Sequence, residues 1–440
     1  MPPFFSSLNS ILLSVGHAVF KWPKTQATNN EIAPRRESEL ELKGNVQDFH
    51  PIVAELKRAI EGDADLYMGF HQIFEQIPND PKYGFDPTGK PQVRNYHEML
   101  HQFQILLTCA PEFGDEETSE LVPVPLNAML NWPMNTLAAL RIFTNPTVNS
   151  LLRNILSEWA RFLSTPDSRY TLTDCSPNGW FSPSARLSIP NFEETFECAP
   201  SKEHWGFQSW DDFFTRKFRP GIRPVHFLED DSVITSACES VTYKISYNVQ
   251  STSSFWLKGE SYSLTHMLKN DPLTPHFIGG TVYQAYLSAL NYHRWHSPVN
   301  GRIVKISHVP GTYCAISPAT GFDSGNPDPA TPDRSQAFLA NMATRMLIFI
   351  QADDPDIGLM CFIAVGMVEV SSCEASVVVG QRVKKGEELG MFHYGGSTYC
   401  LVLRPQTKVA FSDGVAQSME DRKTRVLLNA PLAYVAVKSG

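Results

Sequence analysis

The hydrophobic pattern of this chain changes period once, near Trp205, and that change sets what it can fold into. From about Pro51 to Leu163 apolar residues recur at helical spacing. Leu66, Phe70, Ile73, Phe74 and Ile77 share one face, Tyr96, Met99, Leu100, Phe103 and Leu107 a second, and Val148, Leu152, Ile155, Trp159 and Phe162 a third. Proline and Asn/Asp clusters at 78–81, 145–146 and 166–167 punctuate these helices. Beyond Trp205 the apolar runs are short and rich in β-branched and aromatic residues: Val233-Ile234, Val241 to Ile245, Gly301 to Ile306, Met346 to Ile350 and Cys361 to Val365. A chain of 440 residues exceeds what one core usually holds. The expectation is an α+β chain with a helical domain over 51–164, a Ser/Pro/Asn-rich linker over 165–204 and a β-rich domain over 205–440. The segment 317–335, dense in Pro, Asp, Gly and Thr, is long for a plain connection and reads as a loop over a site.

Charge and cysteine usage exclude several functions. A net charge of −9 with no basic stripe argues against a nucleic-acid partner. Eight scattered cysteines form no C-x-x-C pair, so neither a disulfide framework nor a zinc site is expected, and no metal is assigned. No apolar run reaches the roughly 18 to 20 residues that a spanning helix needs. At the N-terminus, Phe4, Leu8, Ile11, Leu12, Val15 and Val19 fall at helical spacing. Residues 1–50 therefore read either as a plain tail or as a tail with an amphipathic helix over 4–20; membrane contact is not the expectation, and residues 4–20 are the one place that could make it. A cytoplasmic location follows as the expectation.

The candidate chemistry lies in the β-rich half. In Gly395-Gly396-Ser397-Thr398, two glycines allow strained backbone before a hydroxyl that can attack the preceding carbonyl. Alone, the tetrapeptide reads better as a glycine bend before a strand. It comes, however, with Tyr292-His293-Arg294-Trp295-His296-Ser297-Pro298, whose two histidines are candidate bases for Ser397. Either histidine alone is more often a core residue. A helical turn would point both to one side and a strand to opposite sides. Glu239, in Ser236-Ala237-Cys238-Glu239-Ser240, is the candidate acid to orient an imidazole, and otherwise a surface carboxylate at a strand end. Ser209 with Asp212 resembles a capping box opening a short helix that carries Phe213, Phe214 and Phe218 and ends at Pro220-Gly221. The segments 297–306 and 380–390 suggest an internal half-repeat, the second resembling the hammerhead strands of biotinyl and lipoyl carrier domains. No lysine there has the flank a carrier needs.

Four ordered motifs, 210–218, 258–264, 292–298 and 395–398, together resemble the phosphatidylserine decarboxylase family over roughly residues 205–440. The phrases at 236–240, 292–296, 309–313 and 389–393 are most similar to a soluble branch acting on an aromatic amino acid such as L-tryptophan. The helical half is similar to the domain that precedes the catalytic one in those relatives. The resemblance implies a carboxy-lyase with barrel-sandwich-like hammerhead strands and self-cleavage between Gly396 and Ser397. Ser397 attacks the glycine carbonyl to give an ester, and β-elimination splits the chain and leaves a covalent pyruvoyl group that acts as electron sink. By the same carry-over His296 matches the triad histidine and His293 the histidine of the decarboxylation step. The two fragments are expected to stay associated and to act on a small amino acid, with phosphatidylserine as the alternative substrate and a pseudoenzyme scaffold as a third reading. The chain departs from the family pattern twice: Glu239 stands where an aspartate is usual, and Gly395 where a leucine is usual.

Overall fold

The computed structural model describes residues 49–114, 121–257, 259, 261–325, 327, 333–369, 372–394 and 397–436. The expected N-terminal tail, most of the span 326–332, and the pair Gly395-Gly396 lie outside the described residues. The described part begins with α1 (Pro51–Gly62), α2 (Ala64–Glu75), α3 (Tyr96–Leu106), α4 (Pro125–Met134), α5 (Leu137–Phe143) and α6 (Pro146–Leu163). Their starts are written locally. The Asp63 carboxylate accepts from the N–H groups of Asp65 and Leu66 ahead of α2. Asn145 accepts from Thr147 and Val148, with Pro146 at the first position of α6. The three expected apolar faces are buried, apart from Phe162, which is partly exposed.

The stretch 165–204, expected as linker, carries α7 (Pro183–Ser188) and α8 (Phe192–Thr195). Its Trp180, Phe181, Phe192 and Phe196 are buried in the same core as the helices, and Phe181 stacks on Trp205 at 4.1 Å. The helix α9 (Trp210–Phe214) starts as expected: the Ser209 hydroxyl accepts from Asp212 N at 3.0 Å, and the Asp212 carboxylate accepts from Gln208 N at 2.9 Å. It ends sooner than expected, and Phe218 lies outside it. The chain leaves the helix to bury Arg216, whose guanidinium donates to the carbonyls of Leu290 and Asn291, while Phe218 forms a bridge with Phe196.

The β-rich part contains β1 (Val233–Thr235), β2 (Val241–Val249), β3 (Gly280–Leu287), β4 (Arg294–His296), β5 (Gly301–Val309), β6 (Arg345–Ala352) and β7 (Leu359–Gly366). It continues with β8 (Ser372–Ala375), β9 (Arg382–Val383), β10 (Glu388–His393), β11 (Ser397–Leu403), β12 (Val409–Phe411) and β13 (Pro431–Val435). An antiparallel sheet runs β2-β3-β11-β7-β6-β5-β9, flanked by smaller sheets β4-β10-β8 and β1-β13-β12. The suspected half-repeat segments pair with each other, Gly301 with Val383 and Arg302 with Arg382. One face of the large sheet is covered by α10 (Leu264–Met267) and α11 (Gln336–Met342). The other packs on the two small sheets and on α12 (Asp413–Asp421). Gly390 is required where β10 crosses β8 and β4, since a Cβ there would lie 2.1 Å from the Glu374 carbonyl oxygen and 2.7 Å from the Trp295 ring. All eight cysteines are unpaired. Among the described residues no helix is long and apolar enough to cross a membrane.

Candidate active site

Ser397 opens β11, the strand between β3 and β7, with Leu287 and Gly366 as its cross-strand partners. Burial on both faces of the sheet explains why residues 399–403 are an almost uninterrupted apolar run. The segment leading into it is β10, and the backbone N–H of Phe392 donates to the carbonyl of His293 at 2.9 Å. His293 therefore stands beside the strand end that runs on to Ser397.

His293 is fully buried, and its ring stacks on Phe214 at 3.9 Å. Phe214 in turn meets the Tyr394 ring at 5.7 Å, and Tyr394 lies edge-on to Trp210 and Trp159. Among the described residues neither ring nitrogen of His293 has a hydrogen-bond partner of good geometry. Burial pushes its pKa well below the ordinary histidine value, the Arg216 cation adds to this, and the carbonyls of Ser288 and Asn291 act the other way. Ser288 follows Leu287, the partner of Ser397, so the ring sits against the chain that pairs with the candidate nucleophile. A buried imidazole without a well-aligned partner among the described residues is unusual, because buried polar atoms are normally satisfied.

His296 is placed differently. The two histidines flank Arg294 and Trp295 on a strand, so they point to opposite sides. Its Nδ1 lies 2.8 Å from the Gly386 carbonyl, which can only accept, so Nδ1 carries the proton. Nε2 then accepts from the Tyr292 hydroxyl at 3.0 Å. Burial lowers its pKa, opposed by the Gly386 carbonyl and Glu388. Glu239 is buried but does not reach this ring: its carboxylate takes Arg223 at 2.7 and 3.1 Å, with Arg425 at 3.9 Å. No hydrogen bond joins Glu239 to His296, although His296 N donates to Ala237 O nearby.

Two groups near the same strand end were not singled out from sequence. Glu369 follows Gly366 by three residues; it is 6% exposed, and one carboxyl oxygen accepts from Asn127 N at 2.8 Å in the first turn of α4. Burial pushes its pKa up to about 7, against the pull of backbone N–H groups from Asn127, Glu369 and Leu126. The residue before it, Val368, holds φ 47°, a costly conformation for a β-branched side chain, of the kind that clusters at functional sites. An acid inside the apolar run 359–370 was the available signal. The second group is His393, whose Nδ1 lies 2.9 Å from Asp211 and Nε2 3.0 Å from Glu374. Burial disfavours its charged ring, but the two carboxylates outweigh this and raise its pKa.

Near the start of β11 is a cavity of about 310 Å³ lined by Tyr243, Tyr286, Arg334, Gln336 and Arg422. Tyr286 pairs directly with Thr398. The Thr398 hydroxyl accepts from Gln284 at 3.1 Å and donates to Ala285 O, and Gln284 is held by Tyr262 at 2.6 Å.

Residues 50–189 and 210–425 match family models that are each described as phosphatidylserine decarboxylase. The chain is similar to Decarboxylase iboD of Amanita muscaria, with 44% identity over 349 residues, 75% of this chain and 98% of that protein. It is similar to the L-tryptophan decarboxylase of Psilocybe cubensis, with 39% identity over 368 residues, 80% of each chain. It is also similar to that of Psilocybe cyanescens, with 39% identity over 396 residues, 86% of this chain and 84% of that one.

Proposed function

The chain belongs to the phosphatidylserine decarboxylase family and is a carboxy-lyase, and from that premise we propose that it decarboxylates an aromatic L-amino acid such as L-tryptophan, using a pyruvoyl group made from its own Ser397. The observation that carries this reading is His293, a fully buried imidazole held neutral by burial and stacked on Phe214, against the chain that pairs with Ser397. When formed, the pyruvoyl ketone supplies the electron sink that pyridoxal phosphate supplies in other decarboxylases.

The chain's own residues do the rest. Phe214, Trp210 and Tyr394 keep the neighbourhood of His293 dry, which strengthens every electrostatic contact made there. His293 can take a proton at one ring nitrogen and return it from the other, and burial, with the Arg216 cation adding to it, keeps the resting ring neutral. For cleavage between Gly396 and Ser397, His296 has one lone pair to offer, at Nε2 and shared with Tyr292, because Nδ1 is committed to Gly386. Glu239, bound to Arg223, acts on this region through the fold rather than as a partner of the ring. The small cavity beside Thr398 suits an aromatic amino acid: two tyrosines flank a space of about 310 Å³, and Arg422, over the Tyr243 ring, offers charge to a carboxylate.

After cleavage the fragment 397–440 stays bound, since β11 pairs along both edges and Tyr399, Cys400, Leu401, Val402, Leu432 and Ala433 are all buried. The family models favour phosphatidylserine as the second reading. Purified protein assayed against L-tryptophan, other aromatic L-amino acids and vesicle-borne phosphatidylserine separates the two. Turnover of free aromatic amino acids is expected; turnover on vesicles alone would overturn the substrate assignment.

A further inference from the structure

A second, larger cavity of about 730 Å³ lies where α6 meets α10, α11 and the turn after β5. Arg153, Lys269, Arg345, His266 and His308 line it, and no Asp or Glu does among the described residues. In a chain of net charge −9 this is a local reversal of sign. The two exposed cations, Arg153 and Lys269, make no side-chain ion pair or hydrogen bond with another described residue. Asp271, the acid nearest Lys269 in sequence, is already paired with Lys305.

The floor is fixed and also cationic. Arg345 is 2% exposed and donates to the carbonyls of Met267, Ala343 and His266, so its charge is hydrogen-bonded but not neutralised. Carbonyls satisfy the guanidinium N–H groups without cancelling the charge, which leaves a field directed into the cavity. The wall is held by Asn149, whose side chain accepts from Tyr313 N at 3.1 Å. The lining also includes the first turns of α6, an 18-residue helix whose N-terminal end carries partial positive charge. Finally, Thr312 is 5% exposed and its hydroxyl has no hydrogen-bond partner among the described residues. Its backbone N–H and carbonyl are satisfied by Met342 and Thr344, so the orphan is the side chain, in the lining of the cavity.

We propose that this cleft binds a compact anion of the phosphate class carried on a small molecule, held by Arg153 and Lys269 and received by the Thr312 hydroxyl above Arg345. A single carboxylate would leave most of this charge unmatched, whereas a phosphate dianion can accept from several donors at once. The site is distinct from the cavity beside Thr398. Arg345 pairs with Val365 and Val365 with Thr398, which sets the backbones of Arg345 and Thr398 about 10 Å apart across two strand spacings. The helix α11 joins them, with Gln336 in the smaller cavity and Asn341 and Met342 in the larger.

The test is thermal unfolding of the full chain titrated with inorganic phosphate at constant ionic strength. A saturable rise in melting temperature is expected, also in Ser397→Ala, so the outcome is independent of the pyruvoyl reading. The double variant Arg153→Gln, Lys269→Gln should melt like wild type without phosphate and bind it about tenfold more weakly for each cation removed. Flotation with phosphatidic acid vesicles but not phosphatidylcholine vesicles, competed by free phosphate, would assign the phosphate to a lipid headgroup; no flotation would assign it to a soluble ester. A rise that never saturates, or one equal in wild type and double variant, overturns the proposal.

Discussion

Replacing Glu369 by glutamine isolates the buried carboxyl beside the strand pair that presents Ser397. The side chain is 6% exposed, and it caps α4, whose own N-cap residue Val124 offers no side-chain acceptor. The helix N-terminus and the Asn127 N–H at 2.8 Å favour the carboxylate, yet burial wins and lifts the pKa from 4.5 to about 7. A folded value above the unfolded one means that the fold prefers the neutral acid. Its contribution is complete below pH 4.5 and is lost as the pH rises through about 7. The rise from 4.5 to about 7 corresponds to about 3 kcal/mol. Glutamine keeps a carbonyl oxygen for Asn127 and cannot ionise. Glu369→Gln should therefore match wild type in acid and exceed it above pH 7 by up to about 3 kcal/mol. Urea unfolding of both proteins across this range reads the difference. The depressed pKa of His293 works in the opposite sense, costing stability below pH 6.5, but it is common to both proteins and cancels. A difference that does not change with pH, or a variant less stable than wild type above pH 7, would refute the reasoning.

Three further outcomes are expected. His293→Gln should still cleave but lose about 10²- to 10⁴-fold in decarboxylation rate, the usual worth of a general acid–base group. His296→Gln should slow appearance of the two fragments on a denaturing gel; the reverse pattern would exchange their roles. Asp211→Asn should destabilise by about 1–3 kcal/mol through loss of a charge-assisted hydrogen bond to His393. Because the His393 pKa is raised, that loss should be largest below pH 6.5 and fade as the pH rises, which thermal melts can follow.

The change of period near Trp205 made the α+β division legible, because helical and strand spacing each bury one face and the burial is what folds. The strands β1, β2, β5, β6 and β7 were legible from β-branched runs; β3 and β11 gained their places from pairing far along the chain, which no local pattern encodes. The aromatic residues at 180–207 were missed because Ser, Pro and Asn dominate the composition around them, while their rings pack on the helical core. At the site, His293 and His296 were legible as a pair, and the family resemblance implied a role for each; their surroundings were not legible, because the contacts of His296 with Gly386 and Tyr292 and the stacking of His293 on Phe214 are properties of the assembled strands. Glu239 was a sound choice by type, yet Arg223, sixteen residues upstream, takes its carboxylate.

The central claim is that Ser397 is consumed to make the catalytic group. Intact mass of the purified protein under denaturing conditions tests it most directly. The account predicts two fragments, residues 1–396 and 44 residues from 397 to 440 (440 − 396 = 44), the shorter with a blocked, carbonyl-bearing N-terminus, and a Ser397→Ala chain that stays whole and inactive. A single unbroken chain that decarboxylates at full rate would contradict it.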